Sequence, residues 1–379
     1  MKHGIQIVLL FSVLFGLSNC RKSENDIIYS KKYIKEIKEA RKELGYYLLT
    51  NSVPGASVAV MKDGELIYSE GIGYASKDLE VKARRNTKFR IGSSTELFTN
   101  IIYHKLVEEG ILHPDSSIQY YYPSFPEKDY KLTIKHLAQQ TSGIREPSLK
   151  EKNMQEINVS LERGLEKIKD DALQIPPENY QIPSFFNYNI LGVVMEKATQ
   201  MNYYQLLQTY VTDTLHLSNT IVDNPFITIK NRSNFFDHNY IAQVENETTK
   251  DLRFCASSLG LLSNAEDLAK LGNMVLNGEY LSKETREKLW QPVLLSGNTP
   301  SQMANSWLLI TDNNGRKIYG KAGSVAGGGS SLLIYPDENL IVAYACNLTT
   351  RIDDTPLFNV AKYFLPGGLE INKNENKQK

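Results

Sequence analysis

The chain has 379 residues, 41% of them hydrophobic, enough to bury a large core in one big domain or two interleaved parts. Lysine plus arginine and aspartate plus glutamate each total 43, so the formal net charge is zero. That balance argues against a general nucleic-acid binder, which needs excess positive charge to displace counterions.

Lys2 and His3 precede an apolar run from Ile5 to Leu17, too short for a membrane span and suited to a signal peptide. The run ends in Leu17-Ser18-Asn19-Cys20, which resembles a bacterial lipobox, although Asn19 replaces the usual small residue. The expectation is a lipoprotein signal peptide over residues 1–20, lipidation at Cys20 and a polar tether over 21–28. From Tyr29 to Leu49 apolar residues recur at helical spacing among lysines and glutamates, which predicts an amphipathic helix with a solvated face. Lys62-Asp63-Gly64-Glu65 separates two β-rich runs and reads as a hairpin turn. After Ser93, apolar positions at Leu97, Phe98, Ile101, Ile102 and Leu106 predict a buried helix stopped by Gly110. Residues 111–249 are more polar, with short helical patterns and one clear helix at Leu191–Gln200. Ser263-Asn264-Ala265-Glu266 has the spacing of a capping box opening another helix. Pro336-Asp337-Glu338-Asn339 joins two apolar runs in a second hairpin, and residues 369–379 form a polar tail expected to be disordered.

Strands at both ends and helices between them predict an α+β domain over 29–368: an antiparallel sheet assembled from 29–110 and 250–368, with a helical part at 111–249. Cys255 and Cys346 sit in apolar or small-residue contexts and read as buried thiols, and no spacing of histidine and cysteine suggests a metal site. No cofactor is expected.

Phe89-Arg90-Ile91-Gly92-Ser93 places a serine at a helix start. It is followed in order by Leu106–Gly110, His136-Leu137 before Thr141-Ser142-Gly143, Gly260–Ser263 and Gly320-Lys321-Ala322-Gly323. In order and spacing these landmarks resemble the serine β-lactamase-related family, which includes class C β-lactamases, DD-peptidases and esterases, from about Val53 to Leu365. The resemblance implies an antiparallel sheet flanked by helices, a mostly helical second part and a cleft between them. It also implies a mechanism: a serine nucleophile, a lysine three residues later and a tyrosine from the helical part that manage its proton, and a third motif on an edge strand. Ser93 would be the nucleophile, and the backbone N–H groups of Ser93 and Ser324 would form the oxyanion hole.

The sequence departs from that pattern at the base. The lysine position of Ser-x-x-Lys carries Glu96. Counting back from Leu191–Gln200, the Tyr-x-Asn motif falls on Pro183-Ser184-Phe185, so the cleft loses a hydroxyl and an amide. Tyr180 or Tyr188 would reach the cleft only through a re-routed loop. The third motif survives as Lys321-Ala322-Gly323. Glu96 lies one helical turn from Ser93, near enough to act as a base, but its charge would oppose the oxyanion. A pair with Lys321 would further weaken its basicity. The competing reading makes Ser93 and Glu96 a capping box, in which both side chains satisfy orphan backbone N–H groups. Of the six histidines none is placed beside Ser93: His104 lies three turns along the same helix, and His136 reads as a packed or capping residue.

Two functions remain open at this stage. The first is an exported, lipid-anchored protein of the cell envelope, facing periplasm or exterior, whose impaired cleft binds a peptide or peptidoglycan-like ligand without efficient turnover. The alternative is an active serine hydrolase acting on an ester, amide or peptide through Ser93 with Glu96, Lys321 or a recruited tyrosine. A structural envelope protein without a working cleft is a third, weaker option.

Overall fold

The computed structural model describes residues 27–148, 151, 160–248, 250–351 and 354–367. The expected signal peptide, Cys20, most of the expected tether and the tail at 369–379 lie outside these residues.

The sheet begins at β1 (Ile28–Tyr29), inside the last residue expected as tether, and the following helix α1 spans Ile34–Thr50. Tyr29 therefore belongs to a strand and not to the helix: it pairs with Tyr68, and only from Ile37 onward do apolar residues fall on a buried stripe. Next come β2 (Gly55–Lys62) and β3 (Glu65–Ser76). Asp63 and Gly64 at their turn have φ of 53° and 82°, the left-handed pair that a two-residue hairpin loop requires. Helices α2 (Thr95–Glu108), α3 (Phe185–Thr199) and α4 (Ala265–Asn277) follow. The chain closes with β4 (Met303–Ala304), β5 (Trp307–Thr311), β6 (Lys317–Val325), β7 (Gly328–Tyr335), β8 (Leu340–Cys346) and the short helix α5 (Leu357–Ala361).

Among the described residues these strands form one antiparallel sheet in the order β1-β3-β2-β8-β7-β6-β5-β4, with Val81–Lys82 added beside β3. The N-terminal hairpin sits against the C-terminal one, as the distribution of strand patterns predicts. Alternation along the central strands divides the core. Ala59, Met61, Leu332, Ile334, Ile341 and Ala343 face one layer with α2, α3 and α4. Val58, Val60, Leu333, Val342 and Tyr344 face the other, with α1 and α5. Because both faces are covered, β2, the second half of β7 and β8 read as nearly continuous apolar runs.

Among the described residues between 111 and 249 the helices are short apart from α3, and a small hairpin (Phe236–His238 with Val244–Asn246) is present that three-residue strands leave invisible in a periodicity reading. The capping box expected at Ser263 and Glu266 is displaced by one residue. Ser263 ends a strand (Leu261–Ser263), where its hydroxyl meets Thr220, while Asn264 caps α4 by accepting from the Asp267 N–H at 2.8 Å. Glu266 instead receives Arg85 at 2.8 Å.

Leu261–Ser263 also pairs with Phe89–Arg90, which leads into Ser93. Arg90 and Asp223 form a fully buried pair at 2.8 Å. The guanidinium also donates to the carbonyls of Ala326, at 2.9 Å, and Lys250, at 3.0 Å, and stacks on Phe235. This single side chain thereby ties the approach to Ser93 to the β6–β7 turn. Removing one partner of such a pair leaves an uncompensated buried charge. Asp223→Ala is therefore expected to cost about 3–5 kcal/mol in urea or thermal unfolding; a loss below about 1 kcal/mol would contradict this role.

Candidate functional site

Ser93 stands in a 3-10 turn (Gly92–Ser94) that runs directly into α2. Gly92 has φ of 51°, and a Cβ there would lie 2.6 Å from the Ser324 backbone. A Cβ on Gly323 would fall 2.1 Å from the Ile91 carbonyl oxygen and 2.9 Å from the Ser93 nitrogen. Both glycines are thus needed for the backbones of β6 and the serine turn to touch. The register explains how this is possible. β5 pairs only with Lys317–Gly320, so the outer half of β6 is open on that side and the serine turn packs there.

The capping-box reading of Ser93 and Glu96 is not what forms. The 3-10 turn carries Ser93 inside the helical spiral, the N-cap position of α2 falls on Ser94, and no side chain caps either segment. Glu96 turns inward instead. Its Oε2 lies 2.6 Å from Lys321 Nζ, and both side chains are more than nine-tenths buried. The pairing anticipated between these two residues is therefore present. Ser306 Oγ lies 2.9 Å from the same oxygen, and Gln140 Nε2 approaches Oε1 at 3.5 Å. The amide oxygen of Gln140 accepts from the Ser184 N–H at 3.0 Å and Asn187 Nδ2 at 2.6 Å, and Asn187 in turn accepts from Ser142 at 2.5 Å. The carboxylate is thus held directly by groups from three segments of the chain, with Ser184 and Asn187 of a fourth holding Gln140.

Neither candidate tyrosine replaces the missing one. Tyr180 is two-thirds exposed and outside the cleft. Tyr188 is fully buried on α3: its oxygen accepts from Asn100 Nδ2 at 2.7 Å, donates to the Ala138 carbonyl at 2.9 Å and sits 2.7 Å from Ser306 Oγ. Burial, and secondarily the Glu96 carboxylate, push its phenol well above the usual range. The single hydroxyl hydrogen of Ser306 can serve Glu96 or Tyr188, but only one at a time.

Beside this network opens a cavity of about 450 Å³ lined by Ser93, Glu96, Pro183, Phe185, Leu259 and Ser324, with Glu146 and Thr350 at its borders. The structure brings Ser93, Glu96, Pro183, Phe185 and Ser324 to one cleft, whereas Lys321 and Gly323, also expected there, do not line it: Lys321 is turned to Glu96 and Gly323 is packed on the serine turn. Among the described residues no tyrosine or histidine lines the cleft. The residues that sequence reasoning missed are Ser306, Gln140 and Asn187. Gln140 directly precedes Thr141-Ser142-Gly143 and so carried a positional signal, whereas Ser306 lies in a two-residue turn between β4 and β5 with none. His136 does cap: it forms a reciprocal box with Thr133 and lies 3.2 Å from Glu178. Cys255 and Cys346 are buried free thiols. Among the described residues no His, Cys, Asp and Glu cluster could hold a metal ion, and no helix is long and apolar enough to cross a membrane.

A helix-covered antiparallel sheet, with a serine opening the central helix beneath a lysine-bearing strand, defines the β-lactamase/transpeptidase-like fold. The chain belongs to the Beta-lactamase family, whose model matches residues 32–360. It is similar to the human mitochondrial serine beta-lactamase-like protein LACTB, 25% identical over 78% of this chain and 73% of that one. Protein flp of Staphylococcus aureus strain MRSA252 is 25% identical over 79% of this chain, and the match spans 60% of its length. Among solved structures, the octameric penicillin-binding protein homologue from Pyrococcus abyssi superposes with a TM-score of 0.72 at 22% identity, covering 82% of this chain and 73% of that one.

His104, on α2 but remote from the cleft, has a buried Nε2 without a hydrogen-bond partner, and burial lowers its pKa to about 4. The unfolded chain then binds more protons than the native one between about pH 4 and 6.5. Stability should fall as pH drops through that window, by up to about 3 kcal/mol from this group. Urea unfolding at both ends of the window should show a smaller pH-dependent loss in His104→Asn. Equal losses in the two proteins would contradict this assignment.

Proposed function

We propose that this member of the serine hydrolase superfamily is an exported, lipid-anchored binder whose acylation chemistry is impaired and whose cleft holds a peptide or peptidoglycan-like ligand. The observation that carries the reading is the contact between Glu96 and Lys321. A serine hydroxyl attacks a carbonyl only when a neighbour takes its proton. Here the carboxylate one turn away is held by an ammonium, the Tyr188 phenol is locked behind it, and Pro183 and Phe185 offer no proton acceptor. Groups that act as a unit in such a site fail as a unit. Residual catalysis on the order of 10³ over water, from oxyanion donors and binding alone, is what such a site retains.

The cleft still suits an extended ligand: Pro147, Pro183, Phe185, Leu259 and Val325 supply apolar wall, with Thr349 and Thr350 at the border. The resemblance to a family that includes DD-peptidases supports a peptide or cell-wall fragment as ligand class. Export and attachment through Cys20 are supported by Lys2, the apolar run to Leu17 and the Leu-Ser-Asn-Cys sequence.

Incubation with a fluorophosphonate or a fluorescent penicillin, followed by intact mass measurement, should give no stoichiometric adduct, while peptidoglycan-derived peptides raise the melting temperature. A stoichiometric adduct that disappears in Ser93→Ala would instead establish a working hydrolase. Glu96→Lys alone should not acylate rapidly, because it restores the amine without supplying the missing phenol; fast labelling of that variant would overturn the reading.

A further inference from the structure

We infer that the outward face of α1 is a docking surface for an anionic lipid bilayer. The helix has two faces of opposite character. Ile37, Ala40, Leu44 and Leu48 are buried against the sheet. On the other side Lys35, Lys38, Lys42, Tyr46 and Leu49 recur at three- and four-residue steps, continuing the line of Lys31, and all are exposed. Tyr46 and Leu49 are 69% and 80% exposed, an aromatic and an aliphatic side chain ending a basic stripe.

The helix carries three carboxylates, Glu36, Glu39 and Glu43, and they do not cancel the line of Lys31, Lys35, Lys38 and Lys42 evenly. Glu43 is drawn to the flank by Lys362 at 3.1 Å and Tyr363 at 2.8 Å. Glu39 engages Lys42 at 2.7 Å. Arg41 is engaged by Glu70 at 2.6 Å and stays out of the count. Lys31, Lys35 and Lys38 have no ion pair among the described residues. The whole chain has a formal net charge of zero, so this accumulation is local and not the background of a basic protein.

Lysine stems lying along a surface with ammonium groups outward, followed by a tyrosine and a leucine, match a headgroup layer with an apolar boundary beneath it. A nucleic acid would be matched by the charge but not by Leu49. Placement agrees with this partner. α1 covers the sheet face opposite the layer of α2, α3 and α4, so a bilayer against α1 leaves the sheet between the lipid and the helix that starts beside Ser93. The chain enters the sheet at Ile28, eight residues after Cys20. A lipid there, part of the function proposed above, would lie within about 30 Å of the start of the fold and would add a second membrane signal to the stripe.

The test uses the exported chain from residue 21, which lacks both the apolar run Ile5–Leu17 and Cys20, so that neither a signal peptide nor a lipid contributes, and failure here would leave the proposed ligand-binding function standing. Co-sedimentation is measured with phosphatidylcholine vesicles with or without phosphatidylglycerol, at low and high salt. Each lysine near an anionic surface contributes roughly fivefold to binding. Lys35→Glu/Lys38→Glu/Lys42→Glu should therefore weaken binding to the anionic vesicles by at least about tenfold. High salt should abolish binding, and Tyr46→Ser/Leu49→Ser should weaken it while preserving its salt dependence. Lys283→Glu/Lys288→Glu/Lys317→Glu, at exposed positions elsewhere, makes the same change in net charge and should leave binding unchanged. Three results would overturn the inference: equal binding to neutral vesicles, equal loss in the control variant, or tighter binding to a DNA duplex than to anionic vesicles. Circular dichroism of each variant separates loss of binding from loss of fold.

Discussion

The contact between Glu96 and Lys321 is the constraint around which the site is arranged. Two opposite charges taken out of water are tolerable only when each has the other and the remaining lone pairs are satisfied. Ser306 and Gln140 serve Glu96, Gln140 is held by Asn187 and the Ser184 backbone, and Asn187 is held by Ser142. A carboxylate in this setting has little freedom to turn toward Ser93. On the proposed reading this cage has a functional consequence: the same bonds that make a buried glutamate stable deprive the adjacent hydroxyl of a base.

The scaffold around the cage is that of its family. Gly92 and Gly323 permit β6 and the serine turn to meet at van der Waals distance, and Arg90 locks the β6–β7 turn to the strand that leads into Ser93. These features position a serine, a strand backbone and a cavity whether or not a proton can be moved. That separation between scaffold and chemistry explains how a chain matching the family over residues 32–360 can carry a glutamate where the resemblance leads one to expect a lysine.

Much of this architecture was legible in the sequence. Asp63-Gly64 admits few conformations other than a tight hairpin, and the ordered landmarks from Gly92-Ser93 to Lys321-Ala322-Gly323 placed the residues of one cleft. The pairing of Glu96 with Lys321 followed from charge and position. What escaped depended on one-residue shifts or long-range packing. Ser-x-x-Glu spacing describes a capping box equally well at Ser93 and Ser263, yet a 3-10 turn displaces it at the first and a strand end at the second. Tyr29 falls in helical phase but is recruited by β3. Ser306 reaches Glu96 across a separation of 210 residues, and no local pattern announces such a contact. Tyr188 is one helical turn past the vacant motif position, and only packing decides that it points behind Glu96 and not into the cleft.

The central claim is that Glu96 and Lys321 satisfy each other, so that neither is available to Ser93. A double-mutant cycle with Glu96→Gln, Lys321→Met and the combined variant, read by urea unfolding, tests it most directly. The account predicts single losses of about 3–5 kcal/mol, a double variant much less destabilised than their sum and a coupling above about 2 kcal/mol. Additive losses, with coupling near zero, would mean that the two charges are independent and that the glutamate is free to act as a base.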